Sequence, residues 1–294
     1  MNSAIRHRLL LSDLMNNQLH YVDEIQPEKN WSMASGGALQ DLQLAGDGAF
    51  LHTHDHGWSY RRLADGGLLR TVVADADGIA SLRLLPGGGT MAGCNTPAGI
   101  EIRQFDPVGR TIRRWPFHDY QDLRMLRRTP HDTWLLAHHD GALEVALGKT
   151  GEIRRRFTAP NIRYAYQALM TPRGSYLLSG GYSCTVTELT PDNRILRTLV
   201  APQPAGQGSY FYSGFQQLPN GHLVQANWSG HDCHDYREGL KLFEFDPDGN
   251  VAWSWTAPRE KVGSVTTILV LDGLNPELAY DDAHGVLAPW EQKA

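Results

Sequence analysis

Seven of the chain's 13 histidines fall in short polar segments: His54, His56, His118, His138, His139, His231 and His234. Imidazole titrates near neutral pH, so it can move protons, and its neutral form binds Zn, Mn or Fe. The richest segment is WSGHDCHDYREG (Trp228 to Gly239), where His231 and His234 alternate with Asp232 and Asp235. A carboxylate beside an imidazole can orient it for acid–base work. His231 and His234, three apart, could also share a metal ion. Cys233 lies between them with no cysteine nearby and reads as a bystander. His52, His54 and His56 alternate, which places them on one side of an extended strand. A metal site there would need His138 or His231 to converge on His54. Aromatic and cationic residues cluster in other segments: His118 to Gln121, Arg163 to Tyr166, Tyr182, and Tyr210 to Tyr212. Aromatic faces stack on sugar rings, and Arg or His recognises carboxylate or phosphate.

Such residues act only if a scaffold brings them together, and the sequence repeats. Units run over residues 39–76, 79–117, 122–160, 164–202 and 213–258, and their corresponding turns recur about 42 residues apart. Each unit has four short apolar or alternating runs, which predict four strands, A to D. Pro219-Asn220-Gly221, Pro172-Arg173-Gly174 and Pro86-Gly87-Gly88 predict the A–B turns. Asp246 to Gly249, Asp106 to Gly109 and Gly148 to Gly151 predict the C–D turns. Proline pre-sets φ, and glycine accepts positive φ, so these are hairpin turns.

The two ends complete a sixth unit. Residues 8–12, 18–25 and 30–34 read as strands B, C and D, and 264–271 (SVTTILVL) supplies strand A. The expected fold is an all-β, six-bladed β-propeller of four-stranded blades over residues 1–294, formed as one domain and closed by N- and C-terminal strands in one blade. Closure removes exposed strand edges. The unit LPNGHLVQANW…LKLFEFDPDGNVAWSW resembles the repeats of the PQQ-like and arylsulfotransferase-like β-propeller superfamily. The resemblance implies a propeller with a ligand site at the central tunnel. It does not imply bound PQQ, because Trp115, Trp253 and Trp255 form no regular docking series.

In such a blade the D–A links and B–C loops share one face, and here they are the longer and chemically richer set. Aligned B strands end at His54, Cys94, His138, Gly180 and Asn227; the next positions are Asp55, Asn95, His139, Gly181 and Trp228. Convergent polar groups in a scaffolded concave site suit ligand binding. The expected acid–base residues are His138, His231, His234 and Tyr166. The expected substrate contacts are Arg163, Tyr164, Asn95, Tyr182, Asn227, Trp228 and His118. His54, His138 and His231 are the candidate ligands of a divalent metal (Mn, Zn or Fe). The chemistry this suits is lyase, isomerase or hydrolase work on a small carbohydrate-derived substrate. The competing reading is a non-catalytic propeller that binds a ligand or a protein.

The balance of the sequence narrows the partners. Net charge is −5, which disfavours a general electrostatic grip on nucleic acid or an anionic membrane. The runs Arg113-Arg114, Arg127-Arg128 and Arg154 to Arg156 read as a solvated rim. Three cysteines cannot form a disulfide scaffold. No stretch approaches the roughly 18 apolar residues of a membrane span, and the N-terminus lacks a signal-like apolar run, so a cytoplasmic location is expected.

Overall fold

A computed structural model describes residues 5–37, 41–54, 56–160, 162–201, 209–232 and 234–290. Asp55, Cys233 and the outer limits of two expected units, at 39–40 and 202, lie outside these residues. Six four-stranded antiparallel sheets form a six-bladed propeller. The inner strands, which face the central channel, are Leu42–Gly46, Ile79–Leu84, Leu126–Arg128, Ala168–Met170 and Phe211–Gln217 in five consecutive blades. In the closing blade Val265–Val270 is the inner strand and pairs with Arg8–Asp13, followed by Gln18–Asp23 and Trp31–Ala34. The expected clasp is therefore present. Numbering from this blade as the first, the unit at 41–76 is the second and that at 209–258 the sixth.

Alternation along each strand explains the packing. Odd and even residues face opposite neighbouring blades, so both faces of a blade must be apolar. Leu9 and Leu11 pack with Val224 and Leu242 of the sixth blade, while Leu10 packs with Leu42 and Phe50 of the second. Six buried clusters result, each bridging two adjacent blades. The predicted turns form as hairpins; Gly221 and Gly249 adopt φ of 86° and 90°, which a side chain would disfavour.

An inner strand leaves one edge unpaired toward the channel, and its backbone groups need partners. Side chains of the preceding blade supply them. The Gln167 amide donates to Phe215 O (2.9 Å) and accepts from Phe215 N (3.1 Å). Gln216 treats Val270 in the same way, at 3.1 and 2.8 Å. Asp41 accepts from Leu82 N at 3.2 Å, and Ser81 Oγ accepts from Leu126 N at 2.9 Å.

A second device recurs on strand C. Glu144 accepts from Thr133 (2.6 Å) and Arg155 (2.5 Å), and Glu188 from Ser175 (2.5 Å) and Arg197 (2.6 Å). Each carboxylate thus joins the A–B turn to strand D. In the sixth blade Glu244 accepts from His222 of the turn at 2.6 Å, but its strand-D neighbour is Trp253 rather than arginine. The cation comes instead from the closing blade: His7 Nε2 donates to Glu244 at 2.8 Å, its ring edge-on to Trp253.

Residues 272–290 carry no repeat, and they form a strap across one end of the channel. Gln43 Nε2 donates to Tyr280 O (2.7 Å), and Gly48 N to Pro276 O (3.0 Å), which fixes the strap to the second blade. At its tip Gly285 lies against the Met170 carbonyl and Pro172 of the fifth blade, on the opposite side of the ring. Asp282 sits in the channel with Arg127 Nε at 2.8 Å and Arg83 Nη2 at 3.8 Å. Deeper still, fully buried Asp41 accepts from Arg127 (3.1 and 3.2 Å) and is ion-paired with Arg83 at 3.1 Å. Arg127, read as part of a solvated rim, is thus corrected: it lies on an inner strand, is 3% exposed and faces the channel. No helix among the described residues is long and apolar enough to cross a membrane.

Candidate functional site

The D–A links and B–C loops of the fourth, fifth and sixth blades carry a continuous chain of aromatic rings. His139 lies edge-on to Tyr164 with centroids 4.0 Å apart, and Tyr164 meets Tyr182 at 5.6 Å. Tyr182 meets Phe211 at 4.8 Å and Tyr210 at 5.7 Å. Phe211 meets Trp228 at 5.0 Å, and Trp228 meets His231 at 4.2 Å. Met125, Tyr166, Phe211 and Trp228 form the buried base of this cluster, with Tyr164, Tyr182 and Tyr210 half-buried above. Edge-to-face pairing gives each ring a fixed orientation beyond what burial alone provides.

A carboxylate holds the imidazole at each end of the arc. His231 Nδ1 donates to Asp235 Oδ2 at 2.7 Å, which leaves Nε2 as the acceptor nitrogen of the neutral ring. The His231 side chain is 53% exposed. Asp235 is the centre of its loop: Oδ1 accepts from the backbone N–H of His231 (2.7 Å) and Asp232 (3.1 Å), and Oδ2 from Tyr210 OH (3.1 Å). Burial would raise this carboxyl, but those donors, the Asp232 backbone and His231 first, override it and hold it down at about 2. At the other end His139 Nδ1 donates to Asp140 Oδ1 at 2.6 Å.

Two further features set the arc. Lys241 is fully buried and donates to Gly263 O (2.5 Å), Tyr236 OH (2.7 Å) and Ser229 Oγ (3.1 Å). It fastens the loop that bears His231 to the closing blade. Burial pushes its ammonium down to about 8 against the pull of Glu238 and Asp13. Tyr164 has φ of 62°, an unusual conformation for a bulky residue. Tyr164 N donates to His139 O (3.1 Å) and Tyr182 N to Arg163 O (2.9 Å), so the fold enforces the strained backbone. Gly181, with φ of 58°, makes the approach possible: a Cβ there would stand 2.0 Å from Tyr164 O. Gly181→Ala should cost about 1–3 kcal/mol and displace Tyr164 and Tyr182. Urea midpoints and the near-ultraviolet circular dichroism of the cluster check this; an unchanged midpoint and spectrum would refute it.

The structure therefore gathers Tyr164, Tyr166, Tyr182, Trp228 and His231 of the expected site. Other expected residues are placed differently. His138 is 5% exposed, packed edge-on to Tyr120, and burial pushes it down to about 4. Its neighbour His139 faces the arc instead. His234 is exposed and its backbone N–H donates to Asp232 (2.7 Å). His118 is exposed with Nδ1 on Ala98 O (3.1 Å), and Arg163 is exposed beside Gly181. Asn95 and Asn227 serve as backbone clamps. Asn95 accepts from Leu123 N (2.8 Å) and donates to Leu123 O (3.0 Å); Asn227 accepts from Tyr210 N (3.0 Å) and donates to Leu240 O (2.8 Å). Tyr166 is buried, and burial pushes its phenol up. Cys94 is buried too, its thiol pushed up to about 12. Among the described residues, no three His, Cys, Asp or Glu side chains gather as a metal site would require. His54, His138 and His231 thus do not converge as the metal reading expected. His54 lies beside His52, whose ring accepts from Arg61 Nε (2.9 Å) and is pushed down to about 3 by burial.

These features define a β-propeller with an aromatic, histidine-flanked loop face. Solved structures agree on the fold. The chain is similar to a protein of unknown function from Bacteroides caccae (20% identity, 90% of this chain and 98% of that one, TM-score 0.71). It is also similar to streptogramin B lyase (8% identity, 88% and 85%, TM-score 0.59) and to the WD40 β-propeller domain of Doa1 (14% identity, 74% and 71%, TM-score 0.57). No family model and no curated protein sequence matches the chain.

Proposed function

We propose that the loop face is the active site of a propeller enzyme that moves protons on a small carbohydrate-derived substrate, in the manner of a lyase or isomerase. The observation that carries this reading is the pair of carboxylate-oriented imidazoles, His139–Asp140 and His231–Asp235, at the two ends of one aromatic arc. An oriented neutral imidazole presents Nε2 as a base, and the same ring once protonated is an acid. A sugar ring can stack on half-buried Tyr164 and Tyr182 between them. Strain at Tyr164 supports the reading, because strained backbone concentrates where geometry is functional. The resemblance of the repeats to the PQQ-like kind implies a ligand site at the central channel. His231 and His139 take the acid–base roles, Tyr164 and Tyr182 the stacking roles.

A panel of sugars and sugar acids, followed by NMR for product and by thermal shift for binding, tests this. His231→Ala and His139→Ala should each lower turnover about 100-fold while the fold is retained. Tyr182→Ala should weaken binding about tenfold. Turnover unchanged in both histidine variants would reject the acid–base assignment. Ligands that bind with no product formed would make the face a binding module instead.

A further inference from the structure

We propose that Arg83 and Arg127 form a carboxylate-binding site in the closed end of the channel, and that Asp282 of the strap is its exchangeable internal occupant. The inference stands apart from the loop-face reading, because it concerns the opposite end of the channel. Two carboxylates meet the two buried guanidinium groups, and they are held very differently. Asp41 is built in: beyond both arginines it accepts from Leu42 N (2.9 Å), Leu82 N (3.2 Å) and Ser81 Oγ. Asp282 fits loosely. Arg127 Nε is 2.8 Å from its Oδ2 but out of line for a hydrogen bond, and Arg83 Nη2 stands at 3.8 Å. Among the described residues, Asp282 Oδ1, Arg83 Nε and Arg127 Nε have no hydrogen-bond partner. Donors in a guanidinium fork match a carboxylate that can approach in plane, and unmet buried donors are costly.

The surroundings favour exchange of this one group. Asp282 sits at the tip of a two-stranded hairpin, Tyr280–Asp281 with Ala288–Pro289, whose strands are only two residues long. The remainder of the strap is anchored elsewhere, through Gln43 and the second blade. The cavity beside Asp282, lined by Gln43, Arg83, Arg127, Gln216, Tyr280 and Asp282, measures about 20 Å³, room for one water. Withdrawal of Asp282 would open a recess in which the two guanidinium groups face Asp41 and Asp281, the latter with its carboxyl pushed up by burial. Its ligand would be a small molecule bearing a carboxylate.

The test uses the full chain with Asp282→Ala and sodium acetate as probe, against sodium chloride at equal ionic strength. Acetate should raise the melting temperature of the variant by roughly 3 °C more than chloride does. Arg127→Gln added to Asp282→Ala should abolish that difference. In the unaltered chain, acetate should speed amide hydrogen exchange over residues 276–290 relative to chloride. Equal responses to acetate and chloride, or a response that survives Arg127→Gln, would overturn the proposal. If the alanine variant fails to fold, Asp282→Asn, which keeps the side-chain volume, takes its place with the same expected outcomes.

Discussion

Asp41→Ala should destabilise the fold by about 3–5 kcal/mol, because it strands two buried cations rather than merely deleting an ion pair. The carboxylate is inaccessible to solvent and joins three blades. It precedes the inner strand of the second, accepts from Ser81 and Leu82 and pairs with Arg83 of the third, and accepts from Arg127 of the fourth. With it removed, the carboxylates left near Arg83 are Asp282, at 3.8 Å, and Asp281, and the one left near Arg127 is Asp282, which is out of line for a hydrogen bond. The backbone N–H groups of Leu42 and Leu82 also lose their acceptor. Burial opposes ionisation of Asp41, but Arg127 and Arg83 dominate and hold its carboxyl below the usual range. A depressed carboxyl stabilises above its unfolded pKa of about 3.9, and the contribution fades only as pH falls further. Urea midpoints at pH 7 check the magnitude. A loss below about 1 kcal/mol would mean that the channel rehydrates and the arginines are not stranded.

The propeller was legible in the sequence because its determinants are local. Turn chemistry recurs with the repeat, and strand alternation is short-ranged. Closure was legible through a deficit, since 8–34 supplied three strands and 264–271 the fourth. The strap was not, because its strands are two residues long and it is held by channel contacts that no repeat encodes. The charged channel left a faint signal. Arg83 stands between Leu82 and Leu84, an arginine in an otherwise apolar inner strand, and Arg127 follows Leu126 in the same way.

At the loop face, residue types were legible and their facing was only partly so. His138 is in phase with Trp134 and Leu136, which pack in the cluster shared with the third blade, so alternation carries it inward to Tyr120. His139 takes the opposite side and reaches Tyr164. Asn95 and Asn227 look like ligand contacts at matching strand ends. Their amides are consumed by backbone groups, of Leu123 for Asn95 and of Tyr210 and Leu240 for Asn227, a demand visible only in three dimensions. Asp235 was seen as one carboxylate among several, and the loop geometry singles it out.

His7→Gln should cost about 3 kcal/mol near pH 6, and the cost should shrink as pH rises through about 9. His7 donates from Nδ1 to Asp272 at 2.5 Å and from Nε2 to Glu244 at 2.8 Å, so both ring nitrogens carry protons and the group is an imidazolium. Burial alone would lower its pKa; the bonds to Asp272 and Glu244 overcome this and raise it to about 9. A raised pKa gives stability that is complete below the unfolded value of about 6.5 and is lost as pH climbs through the folded value. The rise from 6.5 to about 9 corresponds to about 3 kcal/mol. The other charge partners in this corner are His222, which donates to Glu244 at 2.6 Å, and Arg8, whose Nε lies 3.9 Å from Asp272. Both persist in the variant, and so do all other titrating groups. The difference between variant and unaltered chain at pH 6, 8 and 10 therefore isolates His7. A difference independent of pH would show that His7 packs against Trp253 as a neutral ring. The expected convergence at pH 10 would show that a proton on the N-terminal segment replaces the arginine that the sixth blade lacks, and so helps to hold the ring closed.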